Sequence, residues 1–227
     1  DGVRVIIADP EGRLWFATRR GLSRFDGKRF VNFTLSDGLT ADELRCAFQT
    51  RDGTMWFATE DKGICAYSSE TVVSYYQADG LPPHEILSLH AAGDSTLWLG
   101  TSRGGIWRRN AGGFELVEMD KALTDVGLPV IRGDAAGRLF FATGGYGLWQ
   151  HDKSGWRKYS LGDSWKQGAN MIDDFILDRE SQGWLATASG VFRWDGKHFT
   201  AFSMLTPYPI ITLFQDQEGA MWFGSTG

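Results

Sequence analysis

Six times in 227 residues the chain returns to one short apolar phrase. It reads GRLWFAT at Gly12–Thr18, GTMWFAT at Gly53–Thr59, STLWLGT at Ser95–Thr101, GRLFFAT at Gly137–Thr143, SQGWLAT at Ser181–Thr187 and GAMWFGS at Gly219–Ser225. The anchoring aromatic falls at Trp15, Trp56, Trp98, Phe140, Trp184 and Trp222, in steps of 41, 42, 42, 44 and 38 residues. A glycine-led phrase follows each of the first five: GLSRF from Gly21, GICAY from Gly63, GIWRR from Gly105, GLWQH from Gly147 and GVFRW from Gly190. A third apolar pair comes next, as in Phe30/Phe33, Phe114/Val117, Trp156/Tyr159 and Phe199/Phe202. A period near this length means that each repeat is one small unit, unable to bury its faces without neighbours.

Each repeat divides into four short strands. Strand A precedes the phrase (Val3–Ala8, Leu44–Gln49, Ile86–His90, Pro129–Arg132, Ile172–Leu177, Ile210–Phe214), strand B contains it, and strands C and D contain the second and third signatures. In strand B, Leu14 and Phe16 point one way and Trp15 and Ala17 the other, so both pleats are apolar. A sheet with one wet face would alternate apolar with polar, so strand B is expected to be covered on both sides. Four-stranded antiparallel blades stacked face to face around an axis supply that cover. The chain is therefore expected to be an all-β propeller, with blades at 3–34, 44–77, 86–119, 129–160 and 171–203 and a partial blade at 210–227, all in one propeller domain. The sixth repeat has only strands A and B, which leads to the expectation of a fragment of a longer chain.

Composition agrees with this reading. Twenty-nine glycines, ten tryptophans and 14% aromatic residues suit short strands joined by tight turns. A net charge of −5, with no basic run longer than two, argues against a sequence-independent grip on nucleic acid.

Several strings imitate chemistry. GTSRG at Gly100–Gly104 spells a nucleophile elbow, but Ser102 falls where a strand runs into a recurring loop instead of a helix. GGYG at Gly144–Gly147 lacks the ending and the helix of a dinucleotide loop. His84, His90, His151 and His198 show no metal-ligand spacing. Neither a catalytic residue, a metal nor a cofactor is expected. Cys46 and Cys65 fall in strands A and C of one blade, about 9.6 Å apart across strand B. A disulfide needs Cα atoms within about 7 Å, so two free, buried thiols are expected. The repeated Asp and Gly of the A–B turns fit turn geometry better than calcium, which prefers six or more oxygens.

In a propeller the B–C and D–A loops emerge on one face, around the axial opening. These loops vary between repeats while the strands do not, the pattern of function grafted on a rigid scaffold. The candidate ligand-binding face comprises Arg19, Arg20, Lys62, His84, Glu85, Arg103, Tyr146, Trp165, Lys166 and Tyr208. Aromatic rings stack on sugars and arginines grip carboxylates, so a small molecule or oligosaccharide is the expected ligand. The plainer alternative is that these charges only keep the face soluble.

The pattern D-x-x-G-x-L-W-F-A-T-x-x-G-L-x-R-F-D-G at Asp9–Gly27, followed by SDGL at Ser36–Leu39 and ADGL at Ala78–Leu81, resembles the two-component regulator propeller repeat. The resemblance implies a seven-bladed sensor propeller in the periplasm or otherwise outside the inner membrane of bacteria. It also implies fusion to a histidine kinase or diguanylate cyclase and a possible homodimer. The WFAT strands are also similar to streptogramin-lyase-type propellers, which implies an alternative as a metal-dependent enzyme using His84 beside Glu85. A pure scaffold or dimerisation module is the third reading.

Overall fold

Each aromatic phrase forms a strand, and each strand is short because a turn ends it on both sides. The computed structural model describes residues 2–60, 63–93, 96–103, 105–117, 126–145, 147–159, 171–202 and 208–226. The chain forms two compact units, Asp1–Glu118 and Met119–Gly227.

The first unit holds three four-stranded antiparallel sheets, each with its strands in chain order. Blade 1 comprises β1 (Val3–Ala8), β2 (Leu14–Thr18), β3 (Gly21–Phe25) and β4 (Phe30–Phe33). Blade 2 comprises β5 (Leu44–Gln49), β6 (Met55–Thr59), β7 (Ile64–Ser68) and β8 (Thr71–Tyr75). Blade 3 comprises β9 (Ile86–Ala91), β10 (Leu97–Thr101), β11 (Ile106–Asn110) and β12 (Gly113–Leu116). Trp15 and Ala17 pack against Met55, Phe57 and Cys65 of the next blade. Trp56 and Ala58 repeat the arrangement one blade on, against Leu89, Leu97 and Leu99.

The second unit repeats the plan. Blade 4 comprises β13 (Val130–Gly133), β14 (Leu139–Ala142), β15 (Leu148–Asp152) and β16 (Gly155–Tyr159). Blade 5 comprises β17 (Ile172–Leu177), β18 (Gly183–Thr187), β19 (Gly190–Trp194) and β20 (Phe199–Phe202). A two-stranded sheet follows, of β21 (Ile210–Gln215) and β22 (Met221–Ser225). Phe140 and Ala142 pack on Phe175 and Leu185, and Trp184 and Ala186 on Leu213, Met221 and Phe223. The fold is all-β and built of propeller blades.

Two-sided burial holds for β6, β10, β14 and β18, where every residue is buried. It fails for β2 and β22. Leu14 is 37% exposed and Trp222 61%, because no blade of their own unit packs on those pleats. The same uncovered faces carry Ile6 and Phe30 in blade 1 and Phe214 in the last sheet.

One feature of strand A escaped the sequence pattern. In β1, β5, β9, β17 and β21 the register against strand B slips by one residue near the start of the strand. The extra residues are Arg4, Arg45, Leu87, Asp173 and Ile211. A β-bulge re-aims the side chain it inserts, and it recurs here at the same end of the blades.

Candidate functional site

The last residue of strand B builds the B–C loop. Thr18, Thr59, Thr101, Thr143 and Thr187 each donate Oγ1 to the carbonyl of the glycine that opens the second signature (Gly21, Gly63, Gly105, Gly147 and Gly190), at 2.7–3.0 Å. The next N–H then ties this loop to the D–A connection of the same blade. Arg19 N–H donates to Gly2 O at 3.2 Å, Glu60 N–H to Glu43 O at 3.1 Å and Ser102 N–H to Glu85 O at 2.8 Å. The second unit repeats the stitch, from Gly144 to Gly127 at 2.8 Å and from Thr226 to Pro209 at 3.3 Å. B–C and D–A loops thus share one end of their blades, and a hydroxyl and an amide hold them there.

The D-G-L strings anchor the connections. Asp37 and Asp79 accept the N–H of Thr34 and of Tyr76, each at 2.8 Å, across 3₁₀ turns at Leu35–Asp37 and Gln77–Asp79. Leu39 and Leu81 are buried directly after. These aspartates are turn braces.

On this scaffold the first unit assembles a chain of charges. The bulged Arg4 reaches Glu43 of the next blade, Nη2 to Oε1 at 3.2 Å, with Arg19 Nε at 3.7 Å from the same oxygen. One blade on, the bulged Arg45 repeats the contact with Glu85 and also lies 3.5 Å from Glu60. Glu43 and Glu85 occupy equivalent places, immediately before Leu44 and Ile86. A hydrogen bond to Glu43 and repulsion from its charge push the Glu60 carboxyl above its ordinary range. The same bond and the neighbouring Arg4 hold Glu43 below it. In the second unit the equivalent places carry Gly127, Met171 and Pro209. There Arg132 pairs with Asp174 at 3.1 Å, and Asp174 accepts the N–H of Leu213 in the adjoining sheet at 2.9 Å.

Between blades 2 and 3 the same end opens into a cavity of about 220 Å³, lined by Thr59, Glu60, Gly63, Gln77 and the segment 81–86. His84 and Glu85 therefore come together as candidate residues. Arg19 sits one seam away, already paired to Glu43. Arg20 and Arg103 are exposed in the B–C loops of blades 1 and 3, and Tyr208 is exposed in the second unit. Lys62, Tyr146, Trp165 and Lys166 lie outside the described residues. Sequence reasoning places Glu60 in a B–C loop and Glu43 in a D–A loop of this face without selecting either as a candidate, and it missed Arg4 and Arg45. Superposing the repeats would have paired Glu43 with Glu85 and Arg4 with Arg45, but the bulge that joins them has no sequence signature.

The decoys resolve physically. Ser102 lies past β10 in a loop that enters strand β11, with its N–H used by Glu85. Both cysteines are free, and Cys65 is buried. Cys46, expected to be buried as well, is only partly so, because as a strand A residue it shows one edge to solvent. Packing still pushes its thiol up to about 12. Among the described residues, no three His, Cys, Asp or Glu side chains are placed to hold one metal ion.

The blade geometry and the repeat point to one family. Residues 204–227 match the family model of the two component regulator propeller. That match covers 24 of the chain's 227 residues. The fold is shared with an extracellular domain from B. thetaiotaomicron described as part of a hybrid two component system, at 22% identity and a TM-score of 0.79. That match covers 98% of this chain and 32% of the other, so this chain spans about a third of its relative's length. A second such extracellular domain from B. thetaiotaomicron matches at 19% identity and a TM-score of 0.63, over 98% of this chain and 36% of that one. Virginiamycin B lyase from Staphylococcus aureus, as a catalytically inactive histidine-to-alanine variant with quinupristin, shares the fold at 13% identity and a TM-score of 0.82. Here the match covers 99% of this chain and 78% of the lyase. A comparison with curated proteins found none that matches.

Proposed function

We propose that this chain is a two component regulator propeller, a ligand-sensing or protein-binding module that passes a signal to an output domain outside this chain. The observation that supports it most is the match to the regulator propeller model together with the likeness to extracellular domains of hybrid two component systems. The loop end fits the role, since rigid strands hold variable charged side chains there. The reading includes one propeller domain formed by both units, an extracytoplasmic location in a bacterium, and a homodimer. Its ligand, a small molecule or oligosaccharide, meets the face formed by Arg19, Arg20, Lys62, His84, Glu85, Arg103, Tyr146, Trp165, Lys166 and Tyr208.

The test is thermal unfolding against a panel of oligosaccharides and small metabolites. A ligand bound only by the folded state at a hundredfold excess over Kd adds about 2.7 kcal/mol of stability. The expected result is a saturable rise in the midpoint that is lost when Arg19, Arg20 and Arg103 are replaced together by alanine, with the unliganded midpoint unchanged. A midpoint that no compound moves favours a scaffold instead.

The shared fold with virginiamycin B lyase keeps an enzyme as the second reading. His84, beside Glu85 and Glu60 in the cavity, is its only candidate base among the described residues. Metal-dependent turnover of quinupristin that disappears in His84→Ala would establish it. Turnover that survives this substitution removes His84 from the chemistry.

A further inference from the structure

Each four-stranded blade ends in a strand with one unpaired edge, and these edges differ in charge. β12 carries the exposed Glu115, and β16 carries Arg157 and Lys158, both exposed. β4 and β20 have four residues each and follow Arg29 and Lys197–His198. Charge and short length are what keep a sheet edge from pairing with another chain. β8 has neither. Its five residues, Thr71 to Tyr75, are uncharged and contain no proline, and Val73 and the following Tyr76 are each 45% exposed.

The hairpin that leads into β8 fixes which of its backbone groups face outward. Ser69 and Glu70 form a two-residue turn at φ +49° and +61°, the left-handed geometry of tight hairpins. Ser68 and Thr71 flank that turn as a hydrogen-bonded pair, and such pairs alternate along an antiparallel ladder. Thr71, Val73 and Tyr75 therefore direct their N–H and C=O to β7, whereas those of Val72 and Ser74 point away from the sheet. Among the described residues no backbone group bonds them. The strand is held firmly in this pose. Glu70 accepts a bond from Arg24 of blade 1 at 3.0 Å, and the Ser74 hydroxyl donates to Gly38 O.

We propose that β8 pairs antiparallel with β8 of a second copy of this chain, about a two-fold axis at Val73. In that register Val72 and Ser74 of one copy exchange N–H···O bonds with Ser74 and Val72 of the other, which satisfies the outward groups of both. Val73 meets Val73 as a non-hydrogen-bonded pair, where side chains approach most closely. Thr71 falls opposite Tyr75 and Glu70 opposite Tyr76, so no like charges meet. The same operation centred on β16 would set Arg157 against Arg157. Two paired edges bury little area, so the dimer is weak and depends on concentration. The proposal deepens the sensor reading by naming the surface of its homodimer, and rests on that reading for its signalling meaning alone.

The test is sedimentation velocity of the chain at rising concentration, where monomer is expected to pass into dimer. Val73→Lys should raise the Kd about fivefold or more, since like charges then oppose each other across the two strands. Val73→Glu should do the same. An equimolar mixture of these variants should restore association, because a two-fold axis at residue 73 sets Lys against Glu. Val73→Cys leaves the strand uncharged, and on oxidation it should join two copies through residue 73, as read by peptide mapping. A chain that stays monomeric throughout, with no such crosslink in Val73→Cys, overturns the proposal. A dimer that both charged variants leave unchanged, or a mixture no tighter than either variant alone, also overturns it and moves the homodimer to another surface. Neither result touches ligand sensing, which the thermal-unfolding panel judges separately.

Discussion

The indole N–H of Trp15 ends on Asp9 Oδ2 at 2.8 Å, and Trp184 and Trp222 repeat the contact with Asp178 at 2.8 Å and Asp216 at 2.7 Å. Asp9 Oδ1 also accepts the N–H of Arg13 at 2.8 Å, so one carboxylate closes the A–B turn and fixes the ring. Phe140 has no indole, and Asp134 turns instead to Arg138 Nε at 2.6 Å. Burial alone would raise the Asp9 carboxyl, but the Trp15 and Arg13 bonds outweigh it and hold it below its ordinary value. Trp222 does the same for Asp216 and the Thr50 hydroxyl for Asp52. With folded values depressed, this stability is present above the unfolded value near 3.9 and is lost as pH falls through the folded ones. Asp173 and Asp174, raised by burial, act in the opposite sense. Urea unfolding between pH 6 and pH 2.5 should therefore show stability falling below about pH 4, with a shallower fall in Asp9→Asn. The same turns contain an exception. Ser181 stands at φ +63° where Gly12, Gly53, Gly137 and Gly219 stand at +77° to +92°. A left-handed serine costs about 1 kcal/mol, so Ser181→Gly should raise stability by up to about that amount, less the entropy glycine returns to the unfolded chain. Gly137→Ser, which meets no neighbouring atom, should lower it comparably.

At the scale of the strand, identical phrases have unequal worth. Trp56 is 5% exposed and Trp222 61%. Truncating a buried Trp costs about 3–5 kcal/mol, whereas Trp222→Ala should cost under about 1 kcal/mol, as exposed substitutions do. Comparable losses in the two variants would contradict the exposure of β22. Blade 5 shows a compensation within one pair of strands. Gly183 replaces the leucine or methionine of other repeats, and a Cβ there would lie 2.8 Å from Trp194 and 2.9 Å from Phe175. The Trp194 ring fills that volume and is itself buried. Gly183→Leu should therefore destabilise by about 1–3 kcal/mol through overpacking, although it restores the repeat. The strands were legible in the sequence because period and two-sided apolarity are local properties. Which strand B lacks cover was not, because cover comes from another blade.

For the whole molecule, the proposal of one propeller domain made of both units predicts a single cooperative unfolding transition, the same by tryptophan fluorescence and circular dichroism. Two transitions would separate Asp1–Glu118 from Met119–Gly227 as domains. The candidate face was only partly legible. Choosing B–C and D–A loops found His84 and Glu85, which do line a common cavity. It also selected Arg19, whose Nε lies 3.7 Å from Glu43 in the structure. Arg4 and Arg45 went unselected because a strand pattern assigns them to a pleat, and only the bulge turns them toward the glutamates of the next blade.

What the sequence determined by itself was the blade: four strands, their turns, and the aromatic that each strand B must bury. These follow from spacing and side-chain type within about forty residues. Tertiary structure alone decided which faces are covered, which arginine meets which glutamate, and that a cavity opens at the Pro82–Pro83 strap. Each of these depends on how neighbouring blades meet, and a one-residue bulge or a missing N–H changes that contact without altering the repeat.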